Sequence, residues 1–114
     1  MESSTLYGIP RPAWAKILEV LEQQPKIQGI RLFGSRAKGN FRPGSDIDLC
    51  IDAKALSLSE KFALETALDD LLLPWKVDLA VWQMIDQPAL KEHIERVGIE
   101  LDKNGDRFIF LAKK

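Results

Sequence analysis

Residues 45–52, Ser-Asp-Ile-Asp-Leu-Cys-Ile-Asp, alternate strictly between two chemistries. In an extended chain successive side chains leave opposite faces. Ile47, Leu49 and Ile51 therefore point one way, while Asp46, Asp48, Cys50 and Asp52 point the other. Aspartate is depleted in strands, so two of them in Asp-x-Asp spacing within one strand need an explanation. The segment predicts a sheet with an apolar layer under one face and carboxylates on the other.

The rest of the chain supplies elements to pack on that sheet. Pro12 suits the first turn of a helix. Trp14, Ile17, Leu18 and Leu21 recur at helical spacing until Pro25. Residues 27–33 read as a strand, residues 34–39 as a glycine-bounded turn and residues 40–44 as loop. Ser57-Leu58-Ser59-Glu60 is a capping box. It opens a helix with Leu64, Ala67, Leu68 and Leu71 as its apolar stripe, closed by Pro74. Residues 75–82 form a further strand, with Val77, Leu79 and Val81 on one face and Asp78 on the other. A last helix starts at residues 86–88, turns Leu90, Ile94 and Val97 inward and ends on Gly98 as a C-terminal cap. The tail suggests a hairpin around Asn104 and Gly105, and its apolar residues 108–111 an edge strand or an interface. The first several residues are expected to fray. The predicted order is α-β-β-α-β-α with a terminal β element. That is an α/β (α+β) fold with a mixed β-sheet, helices packed on one face and the other face open.

Length and charge then narrow the function. At 114 residues the chain has room for one domain. Sixteen basic residues against seventeen acidic ones give a net charge of -1. Direct nucleic-acid binding through bulk charge is not expected, because counterion release needs a basic surface. No apolar run approaches the roughly 20 residues that span a bilayer, and the acidic, polar N-terminus is unlike a secretory signal. Cys50 is the single cysteine and has no internal partner, which points to a reducing, cytoplasmic setting.

The candidate site lies on the open face. Asp46 and Asp48 leave one surface roughly 6.7 Å apart at their Cα atoms, and Asp78 leaves a similar face of another strand. If those strands are neighbours, three carboxylates converge, and like charges that close repel unless a cation sits between them. Mg²⁺ suits such a site, since it takes a few carboxylate oxygens together with water and phosphate. Just upstream, Gly34 allows close backbone approach, and Ser35 offers a hydroxyl and an N–H suited to phosphate oxygens. Arg36, Lys38 and Arg42 add positive charge to the same loop. Phosphate donors, positive charge and metal-holding carboxylates within one strand-turn-strand unit are the parts a nucleoside triphosphate needs. Taken singly, each has a plainer reading, as a solvated strand face or a surface turn.

The run Gly34-Ser35-Arg36-Ala37-Lys38-Gly39, then Arg42, then Ser45-Asp46-Ile47-Asp48-Leu49 resembles the signature of the DNA polymerase β-like nucleotidyltransferase superfamily. Val77-Asp78-Leu79 resembles its third carboxylate position. The size is similar to that of the minimal nucleotidyltransferases (MNT), so the resemblance implies one palm-like domain over residues 1–114. It also implies Asp46, Asp48 and Asp78 as catalytic residues holding two Mg²⁺ ions, with ATP as substrate. Gly34, Ser35, Lys38, Arg42 and Ser45 would bind the nucleotide. Many such proteins are antitoxins of an all-helical HEPN-type partner, and some transfer AMP to it. The resemblance therefore implies AMP transfer to a hydroxyl of that partner.

Two other readings stand beside it: a nucleotide- and partner-binding module without turnover, and a small-molecule transferase of the aminoglycoside type. The second would lack the domain that holds the drug. The oligomeric state, homomeric or heteromeric, stays open. Cys50 reads as a small buried side chain, His93 as a surface or boundary residue, and Trp14, Trp75 and Trp82 as core or interface aromatics.

Overall fold

The computed structural model describes residues 5–101. The tail hairpin and the apolar residues 108–111 lie outside the described residues.

The chain opens with β1 (Thr5–Leu6) and β2 (Ile9–Pro10), an antiparallel hairpin. Its two turn residues, Tyr7 (φ 56°) and Gly8 (φ 79°), are both left-handed, as a two-residue hairpin turn requires. The expectation of a frayed start falls partly on residues 1–4, which lie outside the described residues; from Thr5 onward the chain is held in this hairpin. The cause lies in the helix that follows: Trp14 is 1% exposed and its buried indole N–H donates to the Leu6 carbonyl at 2.9 Å. Ile9 is fully buried beside it.

Helix α1 (Arg11–Glu22) carries a proline in its first turn and buries Ala13, Trp14, Ile17, Leu18 and Leu21. Strand β3 (Gly29–Phe33) leads directly into α2 (Gly34–Lys38), a short helix closed by left-handed Gly39. Strand β4 (Ile47–Asp52) follows. The capping box opens α3 (Leu58–Asp69) as expected: Ser57 Oγ accepts from the Glu60 N–H at 3.1 Å, and Glu60 Oε1 accepts from the Ser57 N–H at 2.8 Å. The helix stops at Asp69, before Pro74, and Leu72 turns left-handed.

Strand β5 (Val77–Val81) is shorter than its pattern suggested, because Trp82 begins a 3-10 turn. Helix α4 (Pro88–Val97) then runs into β6 (Ile99–Leu101). Gly98 between them caps the helix as expected, its N–H donating to the Ile94 carbonyl at 2.8 Å from an extended backbone with φ -64° and ψ 140°. Glycine is needed there for space: a Cβ would strike the Ile94 carbonyl and lie 3.3 Å from Arg31 Cδ.

The main sheet runs β5-β4-β3-β6, with β4 and β5 parallel and the other pairs antiparallel. The fold is the mixed-sheet α+β architecture the pattern implied. Ile30 and Leu32 of β3, Ile47, Leu49 and Ile51 of β4, and Leu79 and Val81 of β5 join the buried faces of α1 and α3 in one core. The opposite face carries Asp48, Asp78, Cys50 and Arg31. Helix α4 packs across part of it, against β3. Ile94 is fully buried there, outside the main cluster, and His93 meets the Phe33 ring edge-on at 6.1 Å.

Candidate active site

Two pairings assemble the site. Antiparallel register sets Phe33, the last residue of β3, opposite Asp48. Parallel register sets Asp48 opposite Asp78. Asp78 thus reaches Asp48 from 30 residues away, with the α3 crossover making the parallel pairing possible. Asp46 is exposed just ahead of β4.

Asp48 feels all of this. Its carboxyl is pushed up to about 6, first by burial, then by the charges of Asp78 and Asp46 and a hydrogen bond with Asp78, against a smaller opposing pull from Arg36. Asp78 has Lys76 Nζ 3.5 Å away, but both side chains are largely exposed, so the pair is weak. Among the described residues, no group of three or more aspartate, glutamate, histidine or cysteine side chains is placed to hold a metal ion. What exists is a surplus of negative charge with open space beside it. That fits Mg²⁺, which completes its shell with water and phosphate oxygens, rather than zinc.

Gly34 sits over this pair. It has φ 75°, and a Cβ there would fall on Asp48 Oδ2. The glycine that the sequence assigned to ligand approach therefore also makes room for a carboxylate. Ser35 follows it in the first turn of α2. Lys38 and Arg42 are exposed and form no ion pair among the described residues. Ser45 shapes the loop: its Oγ accepts from the Arg42 N–H at 2.9 Å, and its own N–H donates to the Arg42 carbonyl at 3.0 Å.

Arg36 is the residue whose role differs most from its pattern. It is 1% exposed rather than facing a phosphate. Its guanidinium donates to the carbonyls of Tyr7 (2.8 Å), Pro43 (3.1 Å) and Ser45 (2.9 and 3.2 Å), and lies 4.8 Å over the Phe41 ring. Trp75 Nε1 also donates to the Pro43 carbonyl, at 3.0 Å. These contacts join segments far apart in sequence, so no local pattern signals them. Cys50 is buried as expected, and burial pushes its thiol up to about 11, with Arg31 opposing.

A groove of about 430 Å³ opens beside Asp78 and Phe33, flanked by Glu65, Asp69 and Lys76. A second cavity, about 460 Å³, lies farther along β4 by Cys50, Asp52 and Trp82, away from Asp48 and Asp78.

In sequence and fold the chain is similar to known proteins. Residues 15–106 match the family described as Polymerase beta, Nucleotidyltransferase. A relative in Methanocaldococcus jannaschii, named protein adenylyltransferase MJ1217, is 38% identical over 68% of this chain and 79% of its own. Another, from Haemophilus influenzae and named protein adenylyltransferase MntA, is 30% identical over 90% of both chains. Among solved structures, a toxin-antitoxin complex with AMP-PNP superposes with a TM-score of 0.64 at 25% identity, over 88% of this chain and 84% of that one. A tri-AMPylated Shewanella oneidensis HEPN toxin in complex with its MNT antitoxin gives 0.62 at 25% identity, over 90% and 81%. The chain belongs to the polymerase β-type nucleotidyltransferase family, among its small protein adenylyltransferases. It is accordingly an enzyme of nucleotidyl transfer.

Proposed function

We propose that this protein, acting as one domain over residues 1–114, is a Mg²⁺-dependent adenylyltransferase that moves AMP from ATP to a hydroxyl of a protein partner. The partner would be an all-helical HEPN-type toxin, with this chain as its antitoxin. The observation that carries the reading is the register pairing of Asp48 with Asp78 beneath Gly34. Likeness to an adenylylated HEPN toxin's antitoxin supports the choice of acceptor.

In the reaction the acceptor oxygen bonds to the α-phosphorus, the bond from that phosphorus to the bridging oxygen breaks, and pyrophosphate leaves. Asp78 is partly exposed on the edge strand, where an incoming hydroxyl can reach it, and takes the proton. Asp46, Asp48 and Asp78 would hold the divalent ions. When bound, these lower the pKa of the attacking hydroxyl and neutralise the leaving pyrophosphate. Gly34 and Ser35 face the β- and γ-phosphates. Lys38 and Arg42, exposed and without an ion pair among the described residues, offset phosphoryl charge. Ser45 holds the loop that carries Asp46.

The test is ATP labelled at the α-phosphate, supplied with Mg²⁺, the purified chain and a host-cell extract. Label should attach covalently to one protein of HEPN type and be lost with Asp48→Asn. ATP binding without any labelled protein would overturn the reading in favour of a non-catalytic binder.

A further inference from the structure

Arg36 makes four hydrogen bonds to three backbone carbonyls, one in the β1–β2 turn and two in the loop that follows α2, yet among the described residues no carboxylate pairs with it directly. Leaving a cation buried on carbonyls alone is costly unless its geometry is satisfied closely. Two of its N–H groups grip one oxygen, the Ser45 carbonyl. That carbonyl and the Asp46 nitrogen belong to one rigid peptide plane. Holding the oxygen from two directions therefore fixes the orientation from which Asp46 departs. Arg36 itself rides on α2, two residues after Gly34. Its outer Nη1 reaches across to the Tyr7 carbonyl in the β1–β2 turn, and Gly8 of that turn must be glycine because a Cβ would strike Phe41 and come within 2.8 Å of Nη1.

We infer that Arg36 is a positioning residue: it locks the phosphate-facing turn at Gly34 and Ser35 to the metal-facing carboxylate of Asp46, with the N-terminal hairpin as its strut. This rests on the nucleotidyltransferase reading of the site. Lysine cannot substitute, because a compact ammonium on a flexible stem does not present the planar fork that reaches these carbonyls.

The experiment compares the full-length chain with Arg36→Lys and with Gly8→Ala, which disturbs the clamp from the hairpin side. Hydrogen exchange at the Arg42 and Ser45 amides, both bonded within the loop, reads positioning without any turnover. In Arg36→Lys these amides should exchange about tenfold faster or more, while amides of α1 and β4 stay protected. The Mg²⁺ concentration for half-maximal transfer should rise by a similar factor, with KM for ATP at saturating Mg²⁺ nearly unchanged. Gly8→Ala should move both readouts in the same direction. A folded Arg36→Lys protein with unchanged loop exchange and Mg²⁺ dependence overturns the inference. If Arg36→Lys does not fold, Gly8→Ala decides by the same readouts, and global unfolding of both overturns it in favour of a purely structural role. An inactive unmodified chain would count against the enzymatic reading instead, and loop exchange would still decide the clamp.

Discussion

Asp48→Asn should make the metal-free protein more stable while removing its activity. The Asp48 carboxyl is pushed from 3.8 to about 6 by burial and by Asp78 and Asp46. Between those two values the folded chain binds more protons than the unfolded one, so stability falls as pH rises through that window. The cost is complete above about pH 6 and absent below about pH 4. A shift of this size corresponds to about 3 kcal/mol at most, and partial exposure of the site reduces it to roughly 1–2 kcal/mol. Asparagine keeps the shape and removes the charge. Thermal melting in EDTA at pH 7.5 should therefore place Asp48→Asn above the parent by about 5 °C or more. The gap should close at pH 4 and shrink or reverse when Mg²⁺ and ATP bind the parent. A variant that melts at or below the parent at pH 7.5, or a gap equal at both pH values, would refute the account of Asp48 as a carboxylate crowded by its neighbours.

Three further outcomes check separate parts of the structure. Gly34→Ala should abolish most transfer and destabilise the fold by about 1–3 kcal/mol, because the residue is left-handed and its Cβ would overlap Asp48; urea unfolding and the labelling assay measure both. Ser57→Ala removes one half of the α3 capping box and should cost about 1 kcal/mol with transfer unchanged, which separates stability from chemistry. Cys50, buried with its thiol pushed up to about 11, should react with iodoacetamide at pH 8 far more slowly than an unfolded control; rapid alkylation of the folded chain would contradict its placement.

The parts of the site that were legible in the sequence follow from local periodicity. Alternation in residues 45–52 assigns Asp46 and Asp48 to one face, and the same rule orients Asp78. Ser57 and Glu60 announce the start of α3 because a cap is a local hydrogen-bond exchange. Register is different. That Asp48 stands opposite Asp78 depends on how β4 and β5 pair across a helix, and nothing within either segment states it. Gly98 shows the limit of a positional rule: glycine after a helix announces the cap, but not the extended backbone or the crowding by the Ile94 carbonyl and Arg31 Cδ that excludes a side chain there.

Arg36 marks the same boundary from the functional side. In a basic turn it is indistinguishable from Lys38 and Arg42, since all three look like charge meant for a phosphate. The structure separates them by what lies above each. Lys38 and Arg42 remain in solvent, where a long cation can follow a flexible triphosphate. The β1–β2 turn and the loop at Phe41 and Pro43 close over Arg36 and convert it into a fixed cation. Its field still reaches Asp48 and opposes part of the repulsion among the aspartates. The opposition is the smallest influence on Asp48, so the site keeps a net deficit of positive charge. A buried cation stronger than that would neutralise the carboxylates and weaken their hold on a divalent ion; a weaker one would let them repel and disorder the loop. Arg36, gripping carbonyls and paired with no carboxylate among the described residues, would order the site while leaving its charge for a metal.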